Sequence, residues 1–223
     1  PKRLLNLLRL LGHTGDELKM PVYLVGGFVR DLLLGVENYD IDIVVEGDAL
    51  ILARKIKEKF KAKIFIHPDF KTAKVVFDDG VKIDIASSRR EYYKEPAALP
   101  KIEWASLKED LARRDFTINI LAISLNPNEF GLLIDLFGGI KDLKEKRIKV
   151  LHNFSFIEDP TRILRAIRYA TKLGFIIDND TINLMRNTIK TGLFTDSRNT
   201  RMKEEFFTIL RDKTITIPAL RIL

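Results

Sequence analysis

The heptapeptide YDIDIVV, residues 39–45, limits the fold more than any other stretch of the chain. Side chains of an extended segment alternate between two faces, so Asp40, Asp42 and Val44 share one side and Ile41, Ile43 and Val45 the other. The apolar side calls for a core. The acidic side is unfavourable by itself, because aspartate is depleted in strands and adjacent same-face anions repel. A positive group between the carboxylates resolves the conflict. Two divalent cations about 3.5–4 Å apart, clamping the attacking and leaving oxygens of an in-line displacement, fit that need. Magnesium suits it best, since it takes oxygen ligands and often uses one or two carboxylates plus substrate phosphates.

Two further stretches bear on this acidic strand. In VKIDIAS, Asp84 faces away from Ile83 and Ile85 and could add a third carboxylate from a neighbouring strand; the plainer reading is a half-exposed strand with an acid on its solvent side. In YLVGGFVRD, a strand runs through Gly26-Gly27 into a helix with Arg30 in its first turn. Glycines admit a phosphate close to the backbone, the helix N-terminus offers free N–H groups, and Arg30 adds a permanently charged donor fork. A glycine pair alone marks only a tight turn. Followed 13 positions later by Asp-x-Asp, it marks a nucleoside triphosphate site.

Cysteine is absent, which excludes disulfides, thiolate metal sites and a cysteine nucleophile. The three histidines, His13, His67 and His152, are too scattered to suggest a cluster, so a metal would be held by oxygen. The formal charge is +7, and residues 151–223, with 12 basic and 8 acidic side chains, carry +4 of it. A basic balance favours a polyanionic partner. No apolar run approaches the ~18 residues that cross a bilayer, and no targeting signal precedes the first helical pattern, so a cytoplasmic protein without membrane contacts is expected. The first residue is proline, as in a piece excised from something longer.

The patterning predicts an α+β fold, a small mixed sheet with flanking helices up to about residue 150 and an all-helical part over 151–223. Helices are expected at 3–12, where Gly12 is read as a stop, and at 28–34, 48–60 and 106–113. Strands are expected at 22–25, 41–45, 63–66, 73–76, 81–86 and 132–136, with 116–125 left unassigned between helix and strand. Beyond the boundary, Asp159-Pro160 opens a helix that Gly174 closes, and further helices are expected at 180–191 and 200–211.

Taken together, GGFVRDLLLG…DIDIVV, DLARRDFTINILAIS, IDLFGGIKDLKEKRIKVL and EDPTRILRAIRYATKLGF resemble the class II tRNA nucleotidyltransferases, which comprise CCA-adding, CC-adding and A-adding enzymes and the similar bacterial poly(A) polymerases. The resemblance runs from about Tyr23 to Phe175. It implies a nucleotidyltransferase head followed by a helical neck and the start of an RNA-binding body. It also implies that Gly27 and Arg30 bind the triphosphate, that Asp40 and Asp42 hold two Mg²⁺, and that Arg113, Arg114 and Asp115 lie near the ribose and phosphates; the residue reading adds Gly26 to the triphosphate site and Asp84 to the catalytic set. The substrates implied are ATP and CTP, with the 3′ acceptor end of tRNA as partner. Poly(A) addition to general RNA and a non-catalytic RNA-binding module are the competing readings. Many CCA-adding members carry an arginine-rich segment between the positions of Asp84 and Arg113, where this chain has RREYYKEPAALPKIEWASLKEDL, so C, A or both remain open as the nucleotides added.

The same resemblance makes the helix opening with EDPTR a protein template for the incoming base. Asp159 only accepts and Arg162 only donates, a pair that matches the amino group and ring nitrogen of adenine and cytosine and mismatches guanine and uracil. Arg165 and Arg168 follow at three-residue steps as further nucleotide contacts, Arg168 drifting round the helix. The plainer readings are an N-cap for Asp159 and a solvated helix face for the arginines. SRNTRMKEEF partly resembles the family's last helical motif; it is read as structural, with Arg201 and Glu205 an i,i+4 pair.

Overall fold

The computed structural model describes residues 2–92, 101–192 and 200–222. It is a mixed α+β structure in which two compact units divide the chain. The first takes Pro1–Glu91, Ile102–Arg114 and Asn119–Leu136, and the second Tyr92–Lys101, Asp115–Ile118 and Phe137–Leu223.

The first unit contains α1 (Lys2–Glu17), β1 (Val22–Val25), α2 (Gly27–Leu34), β2 (Ile41–Val45), α3 (Ala49–Lys59), β3 (Ala62–His67), β4 (Thr72–Phe77) and β5 (Lys82–Ser87). A two-stranded ribbon of β6 (Arg89–Tyr92) and β7 (Lys101–Trp104) follows, then α4 (Leu107–Ala112), β8 (Ala122–Ser124) and β9 (Leu133–Ile134). Seven strands form one sheet in the order β3-β4-β5-β2-β1-β8-β9, with β2 and β5 parallel and the remaining pairs antiparallel. One face is apolar: Ile41, Ile43, Ala73, Val75, Ile83 and Ile85 are buried there. Helix α3 packs along β3, β4 and β5, burying Ala49, Leu52, Ala53 and Ile56, the spacing of one helical stripe. Asp48 starts it by accepting from the amides of Leu50 and Ile51 at 2.7 and 3.4 Å.

Several expectations need correction. Helix α1 does not stop at Gly12 but continues to Glu17, with Gly12 and Gly15 buried inside it. A Cβ at Gly12 would stand 1.7 Å from the Leu125 carbonyl oxygen, and one at Gly15 2.2 Å from Val22 Cγ2, so these glycines allow close approach instead of ending the helix. The strand expected at 132–136 shrinks to Leu133–Ile134, and the 116–125 stretch resolves into a single turn of 3₁₀ helix, Thr117–Asn119, before β8. The β6–β7 ribbon has no counterpart in the sequence reading, and residues 93–100 of that stretch lie outside the described residues.

The second unit holds α5 (Gly139–Lys144), β10 (Arg147–Ile148), α6 (Ser155–Glu158), α7 (Thr161–Leu173), β11 (Ile176–Ile177), α8 (Asn179–Lys190), α9 (Thr200–Arg211) and α10 (Thr216–Leu220). The part beyond residue 150 is not wholly helical, because β11 pairs in parallel with β10. Helix α7 buries Ile163, Leu164, Ala166, Ile167 and Ala170 and packs against α9. Its end is set by Gly174 at φ 66°, with the Phe175 amide donating back to the Ala170 carbonyl at 2.9 Å.

Candidate active site

Strand register sets the acidic group. Asp42 pairs with Asp84 across the parallel β2–β5 ladder and with Val25 across the antiparallel β1–β2 ladder. Asp84 is ion-paired with Lys74 at 3.2 Å. Asp40 lies just outside the strand, exposed, its amide held by Asn38 Oδ1 at 2.8 Å. The Asp42 carboxylate has neither a hydrogen bond nor an ion pair with any described residue. Burial, and then the negative charge of Asp40, push it up to about 6, with Asp84 adding to the rise and the nearby Arg114 and Lys74 opposing it.

Such a site has anionic oxygen to spare. Among the described residues no three His, Asp or Glu side chains are gathered so as to hold a metal alone. Two carboxylates completed by phosphate and water oxygens are a donor set that fits Mg²⁺. Gly26 keeps the adjoining space open: at φ 75° it has a conformation L side chains rarely adopt, and a Cβ there would stand 3.1 Å from Arg114 Nη1 and 3.6 Å from Asp42 Oδ2. A cation and an anion thus flank a gap that a glycine leaves unfilled.

Gly27 opens α2, and the Arg30 guanidinium is turned inward from that first turn. Its Nε and Nη2 donate to the two oxygens of Asp31 at 2.7 and 2.9 Å, and its Nη1 to Asn119 Oδ1 at 2.6 Å. Asn38 donates to the same Asp31 Oδ2 at 2.7 Å, and Arg30 and Asp31 are both buried. Arg30 therefore fastens the helix that carries the glycine pair to the turn holding Asn119.

Asp110 organises the next two arginines. Fully buried, it accepts from Arg113 Nη2 at 2.6 Å through Oδ1 and from Arg114 Nη2 at 3.1 Å through Oδ2. Burial raises its pKa, but Arg114 and Arg113 outweigh that and hold it below the usual carboxylate range. The rotamers of both arginines are thereby fixed at their own helix, Arg113 also donating to the Arg89 carbonyl at 3.1 Å.

Within the second unit, Asp115 accepts from Arg165 Nε and Nη2 at 2.9 and 2.5 Å. Arg162 is buried and donates to Ser155 Oγ at 2.7 Å. Arg168 pairs with Glu205 and lies 4.6 Å over the Tyr169 ring. The solvated-face reading of these arginines is thus excluded. Asp159 Oδ1 accepts from the Thr161 amide at 3.1 Å and its hydroxyl at 2.5 Å, and Oδ2 from Arg201 at 2.6 Å. Asp159 is not itself the N-cap, which is Pro160, but its carboxylate takes up the amide of Thr161, the first residue of α7. A carboxylate has about four acceptor positions, so one on Oδ2 is left after these three bonds. Arg201 and Glu205 do not pair with each other as expected; each reaches across to Asp159 or to the α7 arginines.

Sequence reasoning missed Asp110 and Asn119 altogether, and the true partners of Arg201 and Glu205. For Asp110 a signal existed, since it precedes Arg113 and Arg114 by three and four positions on one helix. The others act over 37 to 89 positions, where no local pattern exists.

Residues 22–149 match the family described as the Poly A polymerase head domain. The chain is 53% identical over 213 residues, 96% of its length, to an A-adding tRNA nucleotidyltransferase of Geobacter sulfurreducens, of which it spans only 24%. Among solved structures, a CCA-adding enzyme in apo form II superposes with a TM-score of 0.94 at 51% identity, over 99% of this chain and 52% of that one. A Thermotoga maritima CCA-adding enzyme complexed with tRNA-CCA superposes with a TM-score of 0.81 at 48% identity, over 92% of this chain and 47% of that one.

Proposed function

Because this chain belongs to the Poly A polymerase head domain family, we propose that it carries the catalytic and base-reading parts of a template-independent tRNA 3′-end nucleotidyltransferase. The 3′-hydroxyl of the RNA attacks the α-phosphate of ATP or CTP; the new phosphodiester bond forms as the bond to pyrophosphate breaks. We assign residues 1–150 to the catalytic head and 151–223 to the neck and the start of the body.

Asp40 and Asp42 are the residues that would hold Mg²⁺, with Asp84 in the neighbouring strand; when bound, the metal supplies charge neutralisation at the reacting oxygens. Gly26 and Gly27 admit the triphosphate to the start of α2, Arg30 keeps that turn in place, and Arg113, Arg114 and Asp115 serve the phosphates and ribose. Asp159 and Arg162 read the base, with Arg165 and Arg168 as further nucleotide contacts. The unused acceptor position on Asp159 Oδ2 makes accepting from the Thr161 amide and reading the base compatible. The observation that carries the reading is the Asp42 carboxylate, unpartnered among the described residues, in register with Asp84 and beside the gap at Gly26.

The test is single-nucleotide incorporation by the chain on tRNA transcripts lacking the whole CCA end, its last two nucleotides or only its last, with labelled CTP or ATP. Incorporation that stops after the missing nucleotides supports the reading and tells A, CC and CCA addition apart. Long A tails on unrelated RNA would favour poly(A) synthesis, the second reading suggested by the family's description. Incorporation undiminished in Asp42→Ala would sink both.

A further inference from the structure

The open face of the sheet does not end at the carboxylates. Cα pairing runs in one row from Asp42 on β2 through Asp84 on β5 and Lys74 on β4 to Phe65 on the outermost strand β3. Paired positions share a face, so all four side chains rise from the side opposite α3. A parallel row runs Lys82, Val76, Lys63. Phe65 is 54% exposed and has neither an aromatic nor a cation–π partner among the described residues. The face therefore changes from acidic at β2 to basic and aromatic at its β3 edge.

We propose that this face is a track for the single-stranded 3′ segment of the RNA primer, with a base stacked on Phe65 and phosphates drawn to Lys63, Lys74 and Lys82. The inference rests on the nucleotidyl-transfer reading, which puts the reacting 3′ end at Asp42. Strands about 4.8 Å apart place Phe65 roughly 14 Å from Asp42, the length of about four stacked nucleotides at ~3.4 Å each. An aromatic ring among lysines suits single-stranded nucleic acid, because stacking accepts any base while the cations follow the backbone. A protein partner would call for a contiguous apolar patch; here one ring stands among charges.

Affinity of the 223-residue chain for a fluorescently labelled single-stranded RNA of about ten nucleotides, measured by anisotropy in EDTA without nucleoside triphosphate, tests the track. Phe65→Ala is expected to weaken binding by at least about fivefold, and Lys63→Ala to lower the salt slope by about one. In incorporation assays both variants should raise KM for RNA and leave kcat and the nucleotide KM unchanged. Both side chains are exposed, so melting temperatures should match the parent. No RNA binding by the parent, or equal affinity in all three proteins, overturns the track, as does loss of a protein partner in Phe65→Ala with RNA binding intact. A parent that incorporates nothing yet binds RNA in a Phe65-dependent way overturns the nucleotidyl-transfer reading alone. Normal incorporation with an RNA KM indifferent to both substitutions overturns the track alone.

Discussion

Arg201 donates to Asp159 Oδ2 at 2.6 Å, tying the second turn-forming residue of the EDPTR motif to a helix 42 positions later. Asp159 is almost fully buried, whereas the Arg201 side chain is 41% exposed. Arg201→Met should leave the buried oxygen short of a donor at a cost of about 1–2 kcal/mol. It should also free Asp159 to swing, lowering the preference for ATP over GTP while affecting kcat less. Chemical denaturation and paired kcat/KM values for the two nucleotides check this; unchanged discrimination would remove Arg201 from base reading.

Two carboxylates of the first unit, Asp42 and Asp110, carry opposite pH signatures. Asp42 is raised, so the folded state holds its proton more tightly than the unfolded chain; stability is lost as pH rises from about 4 and the penalty is complete above about 6. Asp42→Asn should therefore match the parent near pH 4 and melt about 2–4 °C higher at pH 7 for each kcal/mol relieved. Asp110 is lowered, so its contribution is present above pH 4 and fades in acid. Asp110→Asn should lose about 3 kcal/mol at pH 7 and converge on the parent as pH falls. Melting curves from pH 3 to 8 decide both.

Magnesium should raise the melting temperature of the parent at pH 7 by relieving the same repulsion, an effect that grows with concentration through mass action. Asp42→Asn should blunt that shift. Equal shifts in both proteins would place the ion elsewhere.

Arg30→Ala is expected to cost about 3–5 kcal/mol, because it leaves the buried Asp31 carboxylate without its bidentate partner and breaks the bond from Arg30 Nη1 to Asn119 Oδ1. Arg30→Lys should recover only part of this, since an ammonium cannot span both oxygens and the amide. Equilibrium urea unfolding reads the difference, and a lysine variant as stable as the parent would contradict it.

Gly12→Ala is a sharper test of packing. The new methyl would meet the Leu125 backbone oxygen, which cannot rotate away, so a loss of about 3 kcal/mol or more is expected despite alanine's better helix propensity. A stabilised variant, measured by thermal unfolding, would mean that α1 sits differently against that turn.

Local chemistry was the legible part of this chain. Gly174 announced the end of α7, and the helices expected at 48–60 and 106–113 begin within one residue of those bounds, because a helix end is set by residues close to it in sequence. The alternation in 39–45 likewise announced which side of β2 is acidic. Gly12 misled because a glycine permitting close contact and one ending a helix look alike until the neighbour is known. Strand order, the fastening of Arg30 by Asn119 and the hold of Arg201 on Asp159 arise between distant segments, and no periodicity encodes them. The roles assigned to Arg113, Arg114, Asp115 and the α7 arginines rest on the resemblance, while the structure supplies their partners.

The parallel ladder between β2 and β5 joins segments about forty residues apart, with α3, β3 and β4 in the intervening chain. Closing so long a loop costs entropy before any contact repays it, and non-local pairing of this kind forms slowly. The β3–β4–β5 meander can assemble early from neighbouring hairpins, but the two acids meet only once that meander swings back onto β2. The pairing of Asp42 with Asp84 is thus expected to form late in folding.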